Sequence, residues 1–530
     1  MDTMTDLFRR FEKLNRIGAS LSNESNIDRL LENILVAAKT ITHADGGTLY
    51  RVSEDQRSLR FEIVRTDSLK IAFGGATGEP ISAKFNDLPL YRDNGEVNNS
   101  LVAAYSAVHA ETVNIADAYV AEGFDFSGTR KFDQVTGYRS KSFLTVPMKN
   151  HDNEIIGVLQ LINAIDQTTG VVCEFSDADQ RLAESLASQA AVALTNRFLV
   201  NQLQELFEAF ITLINLAIDE KSPYTGGHCQ RVPSLTMMLA DAVNATKDGV
   251  FADFSMSERD RYELKIAGLL HDCGKVTTPV HVVDKATKLQ TIFDRIELLD
   301  TRFEAVRRDA ELNMLRAVLE GVDRHAAEQR LQERLCAIDL DRDFLRHVNV
   351  GGESMKPEDQ ARVLRISQDY RWCNTAGMMV DFLTDDELEN LTIRAGTLTQ
   401  AERETINYHI VATIKMLESL PWPKHLKRVS EYAGGHHERM DGKGYPKGLK
   451  GEEMSVQARI MGIADIFEAL TACDRPYKQG MKLSEAMRIL ENFSKNGHID
   501  PDLFEVFVKQ KVYRKYAEQY LNASQIDEVS

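Results

Sequence analysis

The chain has 530 residues, of which 43% are hydrophobic and 27% charged, and a formal net charge of −17. That length exceeds what a single core supports, so two or three domains are expected, with globular rather than disordered composition. The acidic excess argues against a general binder of nucleic-acid polymer or anionic membrane, but not against a small anionic substrate at a locally basic or metal-bearing site.

The N-terminal stretch "MDTMTDLFRRFEKLNRIG" is charged throughout and lacks the apolar core of a signal peptide. No run of about 18 apolar residues predicts a membrane span. The six cysteines (173, 229, 273, 336, 373, 473) are dispersed and form no CxxC, which suits reduced thiols and a cytoplasmic location. Any metal must then be held by histidines and carboxylates.

Residues 1–177 read as mixed α and β. An amphipathic helix, "IDRLLENILVAAKTI", leads into strand-like "GGTLYRV" and "LRFEIVRT", and "SFLTVPMKN" and "IIGVLQLINA" flank the turn "HDNE" as a hairpin. "FSDAD" at 175–179 caps a long helix, with Ser176 or Asp177 as N-cap. Along that helix Ala193, Asn196, Val200, Leu203, Phe207, Phe210, Ile214 and Ala217 alternate by three and four, a heptad seam. The seam fits a parallel homodimer with Asn196 fixing register. The alternative is a single helix packing its stripe on its own domain.

Beyond residue 201 strand signals nearly vanish and helical periodicity dominates. Residues 290–397 are charged, helix-rich and free of chemical motifs. Ile292, Ile296, Leu299, Phe303 and Val306 share one stripe and Leu331, Leu335 and Ile338 another. A helical hairpin or helical insertion, broken near "NVGGESMKPEDQ", is the economical reading.

The polar clusters of the helical half are "YTGGHCQRV" with His228, "AGLLHDCGK" with His271, Asp272 and Lys275, "INYHIV" with His409, "GGHHE" with His436 and His437, and "GIADIFEAL" with Asp465. Several lie among apolar helical residues, where an unpaired imidazole or carboxylate costs several kcal/mol. Each cluster alone is a weak signal. Five imidazoles and two carboxylates together are what a two-metal site needs if one carboxylate bridges. Such a site, its ions ~3.5–4 Å apart, performs phosphoester hydrolysis.

In these motifs the sequence resembles the HD-GYP branch of the HD phosphohydrolases, which hydrolyse cyclic di-GMP. The resemblance rests on "HCQRV", "HDCGKV", "GTLTQAERETINYHI", "HHERMDGKGYPKGL" and "ARIMGIADIFEALTACDRPYK". It implies that His228, His271, Asp272 and Asp465 hold one divalent metal ion and Asp272, His409, His436 and His437 a second, with Asp272 bridging. It implies a charge-stabilising role for Lys275 and substrate contacts for Arg475 and Lys478. Glu468 would help to read a guanine. Some members hold a third metal through a glutamate four residues before the first histidine; Tyr224 stands there, so two are expected. The resemblance and the imidazole-carboxylate donor set favour iron or manganese, with zinc as the other candidate.

The glycines of "DGKGYP" let backbone approach a substrate or a signalling partner. Tyr445 is either a substrate contact or a packed loop aromatic. The insertion after "DKATKL" departs from the family pattern; it could cover the site, bind a partner or contribute to dimerisation. "KFDQVTGYRSKSFLTVPMKNHDNEIIGVLQLINA" resembles the GAF domains of cyclic-nucleotide phosphodiesterases. Of that family's signature Asn163, Phe175 and Asp179 fit, whereas Ala164 and Gln180 replace the lysine and glutamate, so the expected Lys–Asp ion pair is missing. The GAF domain either senses a small molecule or serves dimerisation alone.

The expected architecture is therefore an α/β GAF domain with a central antiparallel sheet (1–177), a linker helix that could form a coiled coil (178–221), an all-α HD-GYP domain (222–510) with a helical insertion (290–397), and a C-terminal tail (511–530). The expected function is hydrolysis of cyclic di-GMP to pGpG, and further to GMP in one version, under GAF control. The alternatives are another cyclic dinucleotide such as 3′,3′-cyclic GMP-AMP, or a nucleotide-binding adaptor without turnover.

Overall fold

The computed structural model describes residues 2–24, 26–81, 85–221, 227–352, 354–473 and 480–529. They divide into two compact units, Met1–Phe207 and Glu208–Ser530. Among these residues no helix is long and apolar enough to cross a membrane.

The first unit is built on an antiparallel sheet of β1 (Ala44–Val52), β2 (Ser58–Thr66), β3 (Ile71–Gly74), β4 (Leu88–Pro89), β5 (Val113–Ile115), β6 (Phe143–Lys149), β7 (Ile155–Ile165) and β8 (Val172–Cys173). The main path runs β3-β2-β1-β7-β6-β5, with β4 beside β2 and β8 beside β7. The strand period of two sends Leu49, Leu159 and Leu161 into one core with Ile34 and Leu35 of the helix Ile27–Thr42. Tyr50 and Val158 enter a smaller core with Ala103, Ala104 and Ala107. The sequence reading assigned no element to the N-terminal residues; they form the helix Asp2–Asn23, which adds Leu14 and Leu21 to the first core.

The long helix runs unbroken from Asp177 to Lys221. Ser176 rather than Asp177 caps it: its hydroxyl accepts from the Asp179 amide, and Asp179 Oδ2 accepts from the Ser176 amide and hydroxyl. Asp179 is not left without a cation despite Ala164. Arg10 of the N-terminal helix pairs with its Oδ1 and also donates to the Ile41 carbonyl at 2.9 Å, so a different element supplies the charge. Asn163 has a positive φ of 58° and pins β6 to β7, accepting from the Lys141 and Ser142 amides and donating to the Arg139 carbonyl.

The first turns of the long helix complete the first core through Leu182, Leu186, Ala190 and Leu194. Beyond them the heptad stripe is open: Val200, Phe210 and Ile214 are exposed and Leu203 is 67% exposed. Only the start of the stripe, Ala193, packs against the first core. In the last turns a separate stripe, Ile211, Asn215 and Ile218, is buried in the second unit.

The second unit is helical. Between its two motif-bearing parts, residues 289–391 form a module with a core of their own, centred on Phe303, Ile338, Leu345, Tyr370 and Phe382. The hairpin of Ile296–Leu319 and Arg324–Asn349 is joined by Pro357–Asp369 and Asp385–Leu391. Two details differ from the sequence reading. Ile292 precedes the first helix and is 95% exposed, so it is outside the stripe. A two-stranded hairpin, Arg371–Cys373 with Met379–Asp381, lies in the module; the turn residues Asn374 and Gly377 close it. Buried Lys285 fastens the module's root, with Nζ 2.7–2.8 Å from Asn390 Oδ1 and both Glu402 oxygens.

Candidate metal centre and active site

Each histidine of the motifs lies at a helix feature that fixes its ring. His228 opens the helix His228–Ala245, after Gly227 at φ 83°. His271 closes Glu258–Leu270, and Asp272 precedes the short turn Cys273–Thr277. His409 is inside Gln400–Glu418, His436 and His437 follow Val429–Gly434, and Asp465 is inside Val456–Thr471. Gly274 allows the Asp272 turn to reach His409: a Cβ there would lie 2.0 Å from the His409 carbonyl oxygen and 2.6 Å from the Thr413 amide nitrogen.

Three of the rings share one device. Nδ1 donates to the carbonyl three residues earlier: His271 to Gly268 at 2.6 Å, His436 to Ala433 at 2.5 Å and His409 to Ile406. Because a carbonyl only accepts, the proton is on Nδ1 and the Nε2 lone pair points away from the helix. Those lone pairs converge. Asp272 Oδ2 is 3.0 Å from His228 Nε2 and 3.2 Å from His271 Nε2, while its Oδ1 faces His409 Nε2 at 3.3 Å. Asp465 Oδ1 lies 3.3 Å from His228 Nε2 and 3.9 Å from His271 Nε2. Among the described residues, three groups have ligand atoms within 4.8 Å of one another: His228, His271 and Asp272; His271, His436 and Asp465; and His409, His436 and His437. The two oxygens of Asp272 thus face different histidines, as a bridging carboxylate does.

The cluster fits divalent metal. Asp272 Oδ1, His409 Nε2 and His436 Nε2 are buried without a hydrogen-bond partner among the described residues, and each such orphan costs about 1–3 kcal/mol unless something pairs it. Burial and the neighbouring His437 and His271 hold His436 well below the ordinary histidine range. Burial brings His437 down to about 4. Both are neutral at neutral pH, the form that binds metal. For Asp272, burial opposes ionisation, but the Lys275 cation leads the opposing interactions and keeps the carboxylate well below its usual range. Burial pushes the adjacent thiols of Cys229 and Cys273 up to about 12 and about 11, so neither offers a thiolate. The donors are imidazole and carboxylate, suited to iron, manganese or zinc.

Lys275 Nζ is 2.5 Å from Asp272 Oδ2. Burial opposes its charge, yet Asp272 and Asp465 raise its pKa, so it stays a cation. Tyr445 stacks on His437 with centroids 4.8 Å apart and planes at 24°. Glu438 ties down the following loop, accepting from the Lys447 and Leu449 amides.

Glu468 differs from its expected place. It is fully buried, one turn beyond Asp465; Oε2 binds His228 Nδ1 and Oε1 accepts from Arg231 Nε at 2.7 Å. With both oxygens engaged by His228 and Arg231, it has no free edge for a guanine. It orients His228, a role the sequence reading missed although the i+3 spacing from Asp465 puts both carboxylates on one face. Arg231 was missed too. Arg475, Lys478 and Tyr224 lie outside the described residues.

The GAF domain model matches residues 26–194, and HD domain models match 225–343 and 384–503. The chain is 38% identical over 152 residues to a 3′3′-cGAMP-specific phosphodiesterase of Vibrio cholerae, covering 28% of this chain and 32% of that one. It is 49% identical over 74 residues to a cyclic di-GMP phosphodiesterase of Pseudomonas aeruginosa, covering 14% and 17%. It is 35% identical over 132 residues to a cyclic di-GMP phosphodiesterase of Thermotoga maritima, covering 24% and 35%. The chain therefore spans about a third or less of the length of these relatives. It combines a region that matches the GAF domain with regions that match the HD domain.

Proposed function

We propose that the protein is a two-metal phosphodiesterase that hydrolyses a cyclic dinucleotide, with cyclic di-GMP as substrate and pGpG as first product. What supports this reading is Asp272, whose two oxygens face different histidines, together with buried Asp272 Oδ1, His409 Nε2 and His436 Nε2 that have no hydrogen-bond partner among the described residues. His228, His271, Asp272 and Asp465 would hold one ion and Asp272, His409, His436 and His437 the other. Divalent ions bound there lower the pKa of water and draw charge from a phosphoryl group. The chain's own part is to fix the ligand rings through their Nδ1 bonds, to keep Asp272 ionised, and to bring the Lys275 cation to the phosphoryl oxygens. Arg475 and Lys478 would contact the dinucleotide. The donor set favours iron or manganese.

A second reading, 3′,3′-cyclic GMP-AMP as substrate, is favoured by the Vibrio cholerae relative. The GAF domain would respond to a small molecule and act through a parallel homodimer along the open seam, in which Leu203 and Phe210 meet their counterparts. The "DGKGYP" loop is the candidate docking surface for a protein partner. Incubating anaerobically purified protein with each dinucleotide tests the reading. Cleavage by wild type and none by Asp272→Ala is the expected result; binding without cleavage by fully metallated protein would indicate an adaptor.

A further inference from the structure

The segment 269–278 carries His271, Asp272 and Lys275, and side chains of the linker helix hold it near both ends. Asn215, 5% exposed, donates from Nδ2 to the Leu269 carbonyl at 2.9 Å. Six residues on, about 9 Å along the helix, Lys221 directs its ammonium at three carbonyls of one turn: Lys275 at 3.3 Å, Val276, and Thr278 at 2.6 Å. An ammonium has three N–H donors and no acceptor, so this grip can use every donor it has. The carbonyls lie in the last part of the short turn Cys273–Thr277 and at Thr278 just after it, and the C-terminal end of such a turn attracts positive charge. Lys275 is thereby held at two points, its carbonyl by Lys221 and its Nζ by Asp272.

We infer that Asn215 and Lys221 are positioning residues for the catalytic segment, and that the last turns of the linker helix set where Asp272 and Lys275 stand. The same turns present Phe210 and Ile214 to solvent and Ile211, Asn215 and Ile218 to the HD helices. A rotation or axial step imposed on the outer stripe therefore moves the grip. The grip gives any signal arriving along the helix a direct route to the charge at the reaction centre. This rests on the proposed phosphodiesterase reading only for its consequence on rate; the grip itself is tested without turnover.

The test uses manganese-loaded full-length protein with Lys221→Met, Lys221→Arg and Asn215→Ala. Amide hydrogen exchange is followed across 269–278, with 30–38 as an internal reference for folding. Cyclic di-GMP turnover is measured on the same samples. In Lys221→Met, exchange at Lys275 and Thr278 should accelerate about tenfold or more, with the reference segment unchanged. Its kcat should fall about ten- to hundredfold, because a displacement of about 1 Å at a reacting group has that effect, while KM stays within about twofold. Lys221→Arg should recover most of both, and Asn215→Ala should loosen the His271 end. Wild-type exchange in both Lys221→Met and Asn215→Ala, or a change in KM alone, overturns the inference. If wild type cleaves no cyclic dinucleotide, the phosphodiesterase reading fails while exchange still decides the grip.

Discussion

Replacing Glu468 with glutamine isolates its role behind the metal centre. The carboxylate uses one oxygen for His228 Nδ1 and the other for the Arg231 guanidinium, and it is fully buried. Glutamine has the same shape but a single acceptor oxygen. If its NH2 faces Arg231, two donors meet in a buried place. If it faces His228, the imidazole tautomer reverses and puts a proton on Nε2, the atom aimed at Asp272 and Asp465. Either arrangement should weaken metal binding by about 10–100-fold, or about 1.4–2.7 kcal/mol. Calorimetric titration of manganese into metal-free full-length protein measures it directly. A Kd within about twofold of wild type, together with a lowered Tm, would refute the reasoning and leave Glu468 a packing residue.

Three further outcomes follow from particular contacts. With metal removed, stability should fall as pH drops from about 6.5 towards 4. His437 titrates at about 4 when folded and His436 is also depressed, so the unfolded chain binds more protons in that window, and each histidine contributes up to about 1.4 kcal/mol per pH unit. His228 is raised instead, so its contribution is constant there and declines only at higher pH; thermal melts between pH 5 and 7 should show the acid limb, halved in His437→Gln. Glu402→Ala should destabilise the protein by about 3 kcal/mol, because Lys285 is 1% exposed and loses its carboxylate; Lys285→Met combined with Glu402→Leu should recover most of the lost Tm. For the proposed homodimer along the seam, Leu203→Ser with Phe210→Ser should raise the dissociation constant at least about a hundredfold, read by light scattering; a wild-type monomer, or a dimer mass unchanged in the variant, would remove the seam as an interface.

The elements most legible in the sequence were those with a repeating period. The strands at 46–52 and 142–164, the helix from 177 and the insertion's apolar stripes follow from periods of two and near 3.6. The clustered histidines were legible because ionisable groups stood among apolar helical neighbours. Less legible was which partner each group meets. Glu468 and Asp465 share a helix face, yet one turn of rise takes the first behind His228 and leaves the second facing it. The stripe at 193–217 indicated burial without indicating where, and the structure packs Ala193 on the first core while leaving Val200, Leu203, Phe210 and Ile214 exposed. The cation for Asp179 comes from Arg10, 169 residues away, which no local pattern announces. The Lys221 grip was invisible for a similar reason: its acceptors are backbone carbonyls.

The central claim is tested most directly by cyclic di-GMP hydrolysis with metal content determined on the same anaerobically purified sample. The account predicts pGpG release, about two divalent ions per chain, and loss of turnover in Asp272→Ala. Full metal occupancy with tight dinucleotide binding and no cleavage of either cyclic di-GMP or 3′,3′-cyclic GMP-AMP would contradict it.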